Sequence, residues 1–124
     1  MTHTVVVADD DADIRSLVTI AVGRAGLQVV ASVADGALAL DAIRAHRPDL
    51  AILDISMPEM TGLEVCRDVR ADDSFHDLRI LLLSASVDEN TRTVGLAAGA
   101  DYFLAKPFSP RDLVAWLAVG KEVR

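Results

Sequence analysis

Five short apolar runs punctuate the chain, and after each of them apolar residues recur every three or four positions. The runs are Thr4 to Ala8, Leu27 to Val33, Leu50 to Leu53, Ile80 to Leu83 and Asp101 to Leu104. Leu50 to Leu53 and Ile80 to Leu83 contain no polar residue and are too short for a typical helix, which predicts strands buried on both faces. Gln28 and Ser32 interrupt the second run and suggest an edge position. Between the runs, Ile14, Leu17, Val18, Ala21, Val22 and Ala25 keep a helical period as far as Gly26. Asp35 is placed to cap a second helix that carries Leu38, Ala42 and Ile43 and ends before Pro48. A third helix begins near Gly62, with Leu63, Cys66 and Val69 on one face, and Asp72-Asp73-Ser74 follows as a loop. A fourth spans roughly Asp88 to Ala98, and Gly99 ends it. Ser109-Pro110-Arg111-Asp112 combines a Ser cap, a proline in the first turn and an acid three residues after the cap, and so opens the fifth.

Strand and helix in strict alternation, with short connections, predict an α/β fold: a parallel sheet with helices on both faces. The doubly wound strand order 2-1-3-4-5 would put a switch point between the first and third strands. A chain of 124 residues is long enough for one domain with a real core. The expectation is a single domain over residues 1–124, either free-standing or cut from a longer protein. A net charge of −7 argues against a nucleic-acid surface on this domain, since phosphate binding needs clustered Lys and Arg. The single cysteine, Cys66, has no internal disulfide partner. No apolar run is long enough to cross a bilayer, and no signal-peptide pattern is visible. Together these predict a soluble, cytoplasmic protein without a membrane partner.

The positions of the polar residues carry the chemistry. Asp9 and Asp10 follow the first run, Asp54 ends the third, Ser84 ends the fourth and Lys106 follows the fifth. In a parallel sheet these strand ends share one edge, so the five groups can converge on one cleft. Each has a plainer use. The aspartates from Asp9 to Asp11 would cap the first helix, Ser84 would form a turn, and Lys106 would be a surface lysine. Their joint arrival at strand ends favours a site. Three carboxylates at close range call for a bound cation or a raised pKa, and oxygen donors favour Mg²⁺. Lys106 adds positive charge, Ser84 a hydroxyl donor, and central Asp54 a nucleophile for a phosphoryl group. Lys106-Pro107 marks a sharp turn of the kind that can hold a cis bond.

Five pieces of this sequence resemble the receiver domain of bacterial two-component response regulators, over nearly the full length. They are Val7-Ala8-Asp9-Asp10, Leu53-Asp54-Ile55-Ser56-Met57-Pro58 with Gly62, Leu83-Ser84-Ala85, Gly99-Ala100-Asp101 and Lys106-Pro107-Phe108. The resemblance implies a (βα)5 flavodoxin-like sandwich of the CheY-like kind. It implies that Asp54 receives a phosphoryl group from a histidine-kinase phosphohistidine or a phosphotransfer protein. Asp10 and Asp54 would ligate Mg²⁺ directly, Asp9 through water, and the Ser56 backbone carbonyl would complete the protein ligands. Ser84 matches the switch hydroxyl, Phe103 the switch aromatic and Lys106 the family lysine. Tyr102 should point to the opposite face of the strand from Phe103.

By the same resemblance, Ile14, Arg15, Pro107 and Phe108 are candidate kinase contacts. The face made by the fourth helix, fifth strand and fifth helix is the candidate surface for a homodimer or an effector. One departure falls on that face: Asp112-Leu113-Val114-Ala115-Trp116 has Trp116 where winged-helix regulators carry an arginine of their dimer salt bridges. Trp116 has two readings, a partly buried packing residue or an exposed partner anchor. Gly120, further along, stands where a core residue is expected. The leading function is a phosphorylation-controlled switch rather than a turnover enzyme. The alternatives are a phosphohydrolase with Asp54 as transient nucleophile, a flavin mononucleotide protein of the same topology, and a phosphorylation-independent scaffold.

Overall fold

The strands form where the apolar runs lie: β1 (Thr4–Ala8), β2 (Gln28–Val33), β3 (Leu50–Asp54), β4 (Arg79–Ser84) and β5 (Tyr102–Ala105). They make one parallel sheet in the order β2-β1-β3-β4-β5. The computed structural model describes residues 3–123, with side chains as far as Leu117, so Gly120 lies outside the described side chains. The helices are α1 (Ala12–Arg24), α2 (Gly36–His46), α3 (Gly62–Arg70), α4 (Glu89–Ala98) and α5 (Pro110–Val123). A 3₁₀ turn at Asp73–Phe75, inside what the sequence presents as a plain loop, buries Phe75.

Strand alternation divides the core into two layers. Val6, Ala8, Ala51, Leu53, Ile80 and Leu82 face the layer of α2, α3 and α4, together with Val65, Cys66 and Ala98. Val5, Val7, Leu50, Ile52, Leu81 and Leu83 face the layer of α1 and α5, with Val18, Val22, Leu113 and Leu117. The residues of β3 are buried throughout, as its unbroken apolar run predicts, whereas β2 is only partly covered at its edge position. Tyr102 and Phe103 separate as expected, Phe103 to the first layer and Tyr102 to the second.

Local chemistry accounts for the helix ends. Asp11 accepts from the Asp13 and Ile14 amides and caps α1; Asp35 accepts from Leu38 and caps α2. Thr61 and Glu64 form a reciprocal capping box on α3, and Ser109 and Asp112 form a similar pair at α5. Register then positions the site. Ala8 pairs with Leu53, so the next residues, Asp9 and Asp54, emerge side by side. Ser84 pairs with Ala105, and the Lys106 amide donates to the Ser84 carbonyl, so Lys106 turns back towards the same edge.

Candidate functional site

The three consecutive aspartates have three different fates. Asp9 is completely buried, Asp10 is exposed and Asp11 is the α1 cap. Asp9 Oδ1 accepts from the Asp11 amide at 2.9 Å, and the Lys106 ammonium stands 2.7 Å from Asp9 Oδ2. That second contact is an ion pair at a poor hydrogen-bonding angle, so Oδ2 keeps an unspent lone pair in a closed environment. Lys106 Nζ also lies 3.3 Å from Asp54 Oδ1, which accepts weakly from the Ser56 amide at 3.4 Å. The lysine therefore bridges the two buried carboxylates.

Burial first, and then the Asp9 charge beside it, raise the Asp54 pKa; Lys106 and the Ser56 amide only partly offset this. For Lys106, burial pulls the pKa down, but its contacts with Asp9 and Asp54 outweigh burial and hold it above the usual lysine range. The site is thus short of positive charge even with the lysine in place. One carboxylate oxygen from each of Asp9, Asp10 and Asp54 lies within 4.8 Å of the others. An all-oxygen donor set, a deficit of positive charge and a buried oxygen without an aligned donor suit a small hard cation, and Mg²⁺ fits.

The backbone around Asp54 is tightly specified. A Cβ on Gly62 would stand 2.4 Å from the Asp54 carbonyl oxygen, so only glycine lets α3 start this close to the end of β3. Arg15 donates from its guanidinium to the Asp9 carbonyl at 2.7 Å and so holds the acidic loop on α1. Its spacing from Asp9 gave no signal of this; from sequence, Arg15 is assigned only to a partner surface. The Ser84 hydroxyl donates to the Ser86 carbonyl at 2.6 Å and accepts from the Ser86 amide at 3.2 Å. Phe103 packs beneath α4, with the Arg92 guanidinium 5.7 Å from its ring centroid.

The candidate partner residues disperse. Ile14, Phe108 and Trp116 are half-buried against the α1/α5 layer, and Pro107, after a cis Lys106–Pro107 bond, is exposed. Trp116 meets Tyr102 edge to face at a centroid distance of 4.9 Å. The ring is partly buried, as the packing reading expects.

Residues 5–118 match the family described as the response regulator receiver domain. The chain belongs to that family. It is 41% identical over 115 residues to the DNA-binding response regulator MtrA of Mycobacterium tuberculosis, covering 93% of this chain and 49% of that protein. It is 42% identical over 113 residues to the transcriptional regulatory protein GltR of Pseudomonas aeruginosa, covering 91% and 46%. The receiver domain thus spans about half the length of the curated relatives it matches. Among solved structures, the chemotaxis response regulator CheY4 of Vibrio cholerae matches with a TM-score of 0.88 at 34% identity, over 94% of this chain and 97% of that one. The receiver domain of NarL from M. tuberculosis matches with a TM-score of 0.87 at 35% identity, over 99% and 98%. The doubly wound CheY-like fold and the two-component receiver family expected from the sequence both stand.

Proposed function

We propose that Asp54 is the phosphoacceptor of this receiver domain and that the domain works as a cytoplasmic switch rather than as a turnover enzyme. The observation that carries this reading is the Lys106 bridge between Asp9 and Asp54, with Asp10 beside them. A carboxylate oxygen of Asp54 attacks the phosphorus of a phosphohistidine on a sensor kinase or phosphotransfer protein. The P–N bond breaks, a P–O bond forms, and the imidazole leaves with the bonding electron pair. Asp10, Asp54 and the Ser56 carbonyl would hold Mg²⁺, with Asp9 acting through water; the cation supplies charge neutralisation for the transferring group.

Lys106 neutralises an oxygen of the acyl phosphate, and its ion pair with Asp9 keeps it at the site. Ser84 reaches the phosphoryl group by giving up the Ser86 carbonyl. That movement changes the β4–α4 connection and the face of α4, β5 and α5, which would meet a second copy or an effector. Relatives named as DNA-binding regulators make an attached effector domain a natural output, with nucleic acid contacted by that domain and not by this acidic one.

Intact mass after incubation with Mg²⁺ and a small acyl phosphate donor tests the assignment. Wild type should gain one labile phosphoryl adduct and Asp54→Asn none. A wild type that stays unlabelled, or a mutant labelled equally, would sink it.

A further inference from the structure

The loop between β3 and α3 carries Ser56, whose carbonyl is the backbone ligand proposed above. Its base is closed by backbone bonds: the Ile55 amide donates to the Leu83 carbonyl at 3.0 Å, and the Gly62 amide to the Ile55 carbonyl at 2.9 Å. Met57 is buried in the core layer of α2, α3 and α4. At the tip, the Met60 amide donates back to the Pro58 carbonyl at 2.8 Å, and Glu59 between them has a φ of 69°. A residue other than glycine is strained at such a φ and stays there only where its surroundings hold it. Gly36, the first residue of α2, supplies that hold from outside the loop, its amide donating to the same Pro58 carbonyl at 3.3 Å. A Cβ on Gly36 would stand 2.6 Å from the carbonyl carbon and from Cβ of Met60, and closer still to the Met60 carbonyl oxygen. The obstacle is mainly backbone, so no side-chain rotation would relieve it.

We propose that Gly36 is a positioning residue for the cation site: it lets α2 seat the turn at Pro58 to Met60 and so sets where the Ser56 carbonyl stands. The proposal rests on the cation-site reading above and adds α2, an element that contributes no ligand of its own. Asp35 caps α2, and Ala39, Leu40 and Ile43 bury it in the core, so the helix is fixed independently of the loop. A larger residue at position 36 therefore displaces the strained turn rather than the helix. Groups behind the ligands set metal affinity by orienting them, and here the oriented ligand is a backbone carbonyl.

The test titrates wild type, Gly36→Ala and Gly23→Ala with MgCl₂ in a calorimeter. A Cβ on Gly23, near the end of α1, would meet nothing within 4 Å, so Gly23→Ala should leave the affinity unchanged. Gly36→Ala should weaken Mg²⁺ binding about tenfold or more. At saturating Mg²⁺ its rate of Asp54 labelling from acetyl phosphate should return to within about twofold of wild type. A folded Gly36→Ala protein with wild-type Mg²⁺ affinity overturns the proposal. A rate that stays low at saturation overturns it too, since the loss then lies outside the cation site. Should Gly36→Ala fail to melt cooperatively, amide exchange in wild type decides. Opening of the Gly36–Pro58 bond is then coupled to loss of the cation, so the Gly36 amide should exchange about tenfold more slowly at a Mg²⁺ concentration about ten times Kd. The Ser74 amide, bonded to Asp72 between α3 and β4, should not change. Equal slowing at both amides, or none at Gly36, overturns the proposal. A wild type that binds Mg²⁺ but takes no label overturns the phosphoacceptor reading and leaves the affinity comparison to judge Gly36. A wild type that binds no Mg²⁺ overturns the cation site and the role of Gly36 with it.

Discussion

Lys106 reaches back across the sheet edge to stand 2.7 Å from a carboxylate oxygen of Asp9, a residue from the opposite end of the chain. Asp9 has no solvent exposure, while the lysine side chain keeps about a fifth of its own (22%), so the pair is buried on one side only. Removing the lysine leaves two buried carboxylates facing each other. In Lys106→Met we expect acyl phosphate formation at Asp54 to fall about 100-fold or more, as when a charge-stabilising donor is lost. Without Mg²⁺ the fold should lose roughly 2–3 kcal/mol, less than for a fully buried pair because water reaches the ammonium. Denaturant titration with and without Mg²⁺ checks the second expectation, and the cation should recover part of the loss.

Asp54 gives a pH dependence of definite sign. Its folded pKa is raised from 3.8, so the unfolded chain gives up this proton first as pH rises. In metal-free protein, Asp54→Asn should melt higher than wild type at neutral pH. The gap should open as pH climbs from 3.8 through the folded pKa and then stay level. Melting curves in chelator across that range measure it. A mutant that melts lower than wild type at neutral pH contradicts the assigned charge deficit.

Arg70 ties together parts of the chain distant in sequence. Its guanidinium donates to the carbonyls of Gly99 at 2.9 Å, Phe75 at 2.8 Å and Leu78 at 2.7 Å, and to Asp101 Oδ2 at 2.9 Å. Asp101 in turn accepts from the Ile80 amide. Arg70→Met should cost about 2–4 kcal/mol, chiefly from the orphaned carbonyls. The half-exposed ion pair itself adds little. Chemical denaturation gives the number, and a loss below 1 kcal/mol would show that water replaces the guanidinium.

Cys66 is fully buried, and burial pushes its thiol up to about 11. It should resist alkylating reagents in the native state at pH 8 and react on unfolding. The folded thiol keeps its proton above pH 9, where the unfolded one ionises, so its contribution to stability falls between pH 9 and about 11. Cys66→Ala should show a shallower decline over that window.

Residue patterns by themselves determined the strand and helix alternation, the buried run that delivers Asp54, the caps at Asp35 and Ser109, and the five polar residues at strand ends. These are short-range properties: periodicity, turn chemistry and the identity of a residue at the end of a run. Pairing decided the rest. Register brought Asp9 beside Asp54 and turned Lys106 onto both. The same strand-end pattern could not say that Asp11 would serve only as a cap, because neighbours in sequence leave a strand in different directions. Arg15, assigned to a partner surface, was drawn onto the Asp9 carbonyl by the placement of α1. The Ser84 hydroxyl was turned to Ser86 by the geometry of its own loop. Gly36 became meaningful only when the turn after β3 was packed where its side chain would have been. Contacts between residues remote in sequence depend on how elements dock, and only the packed structure supplies that.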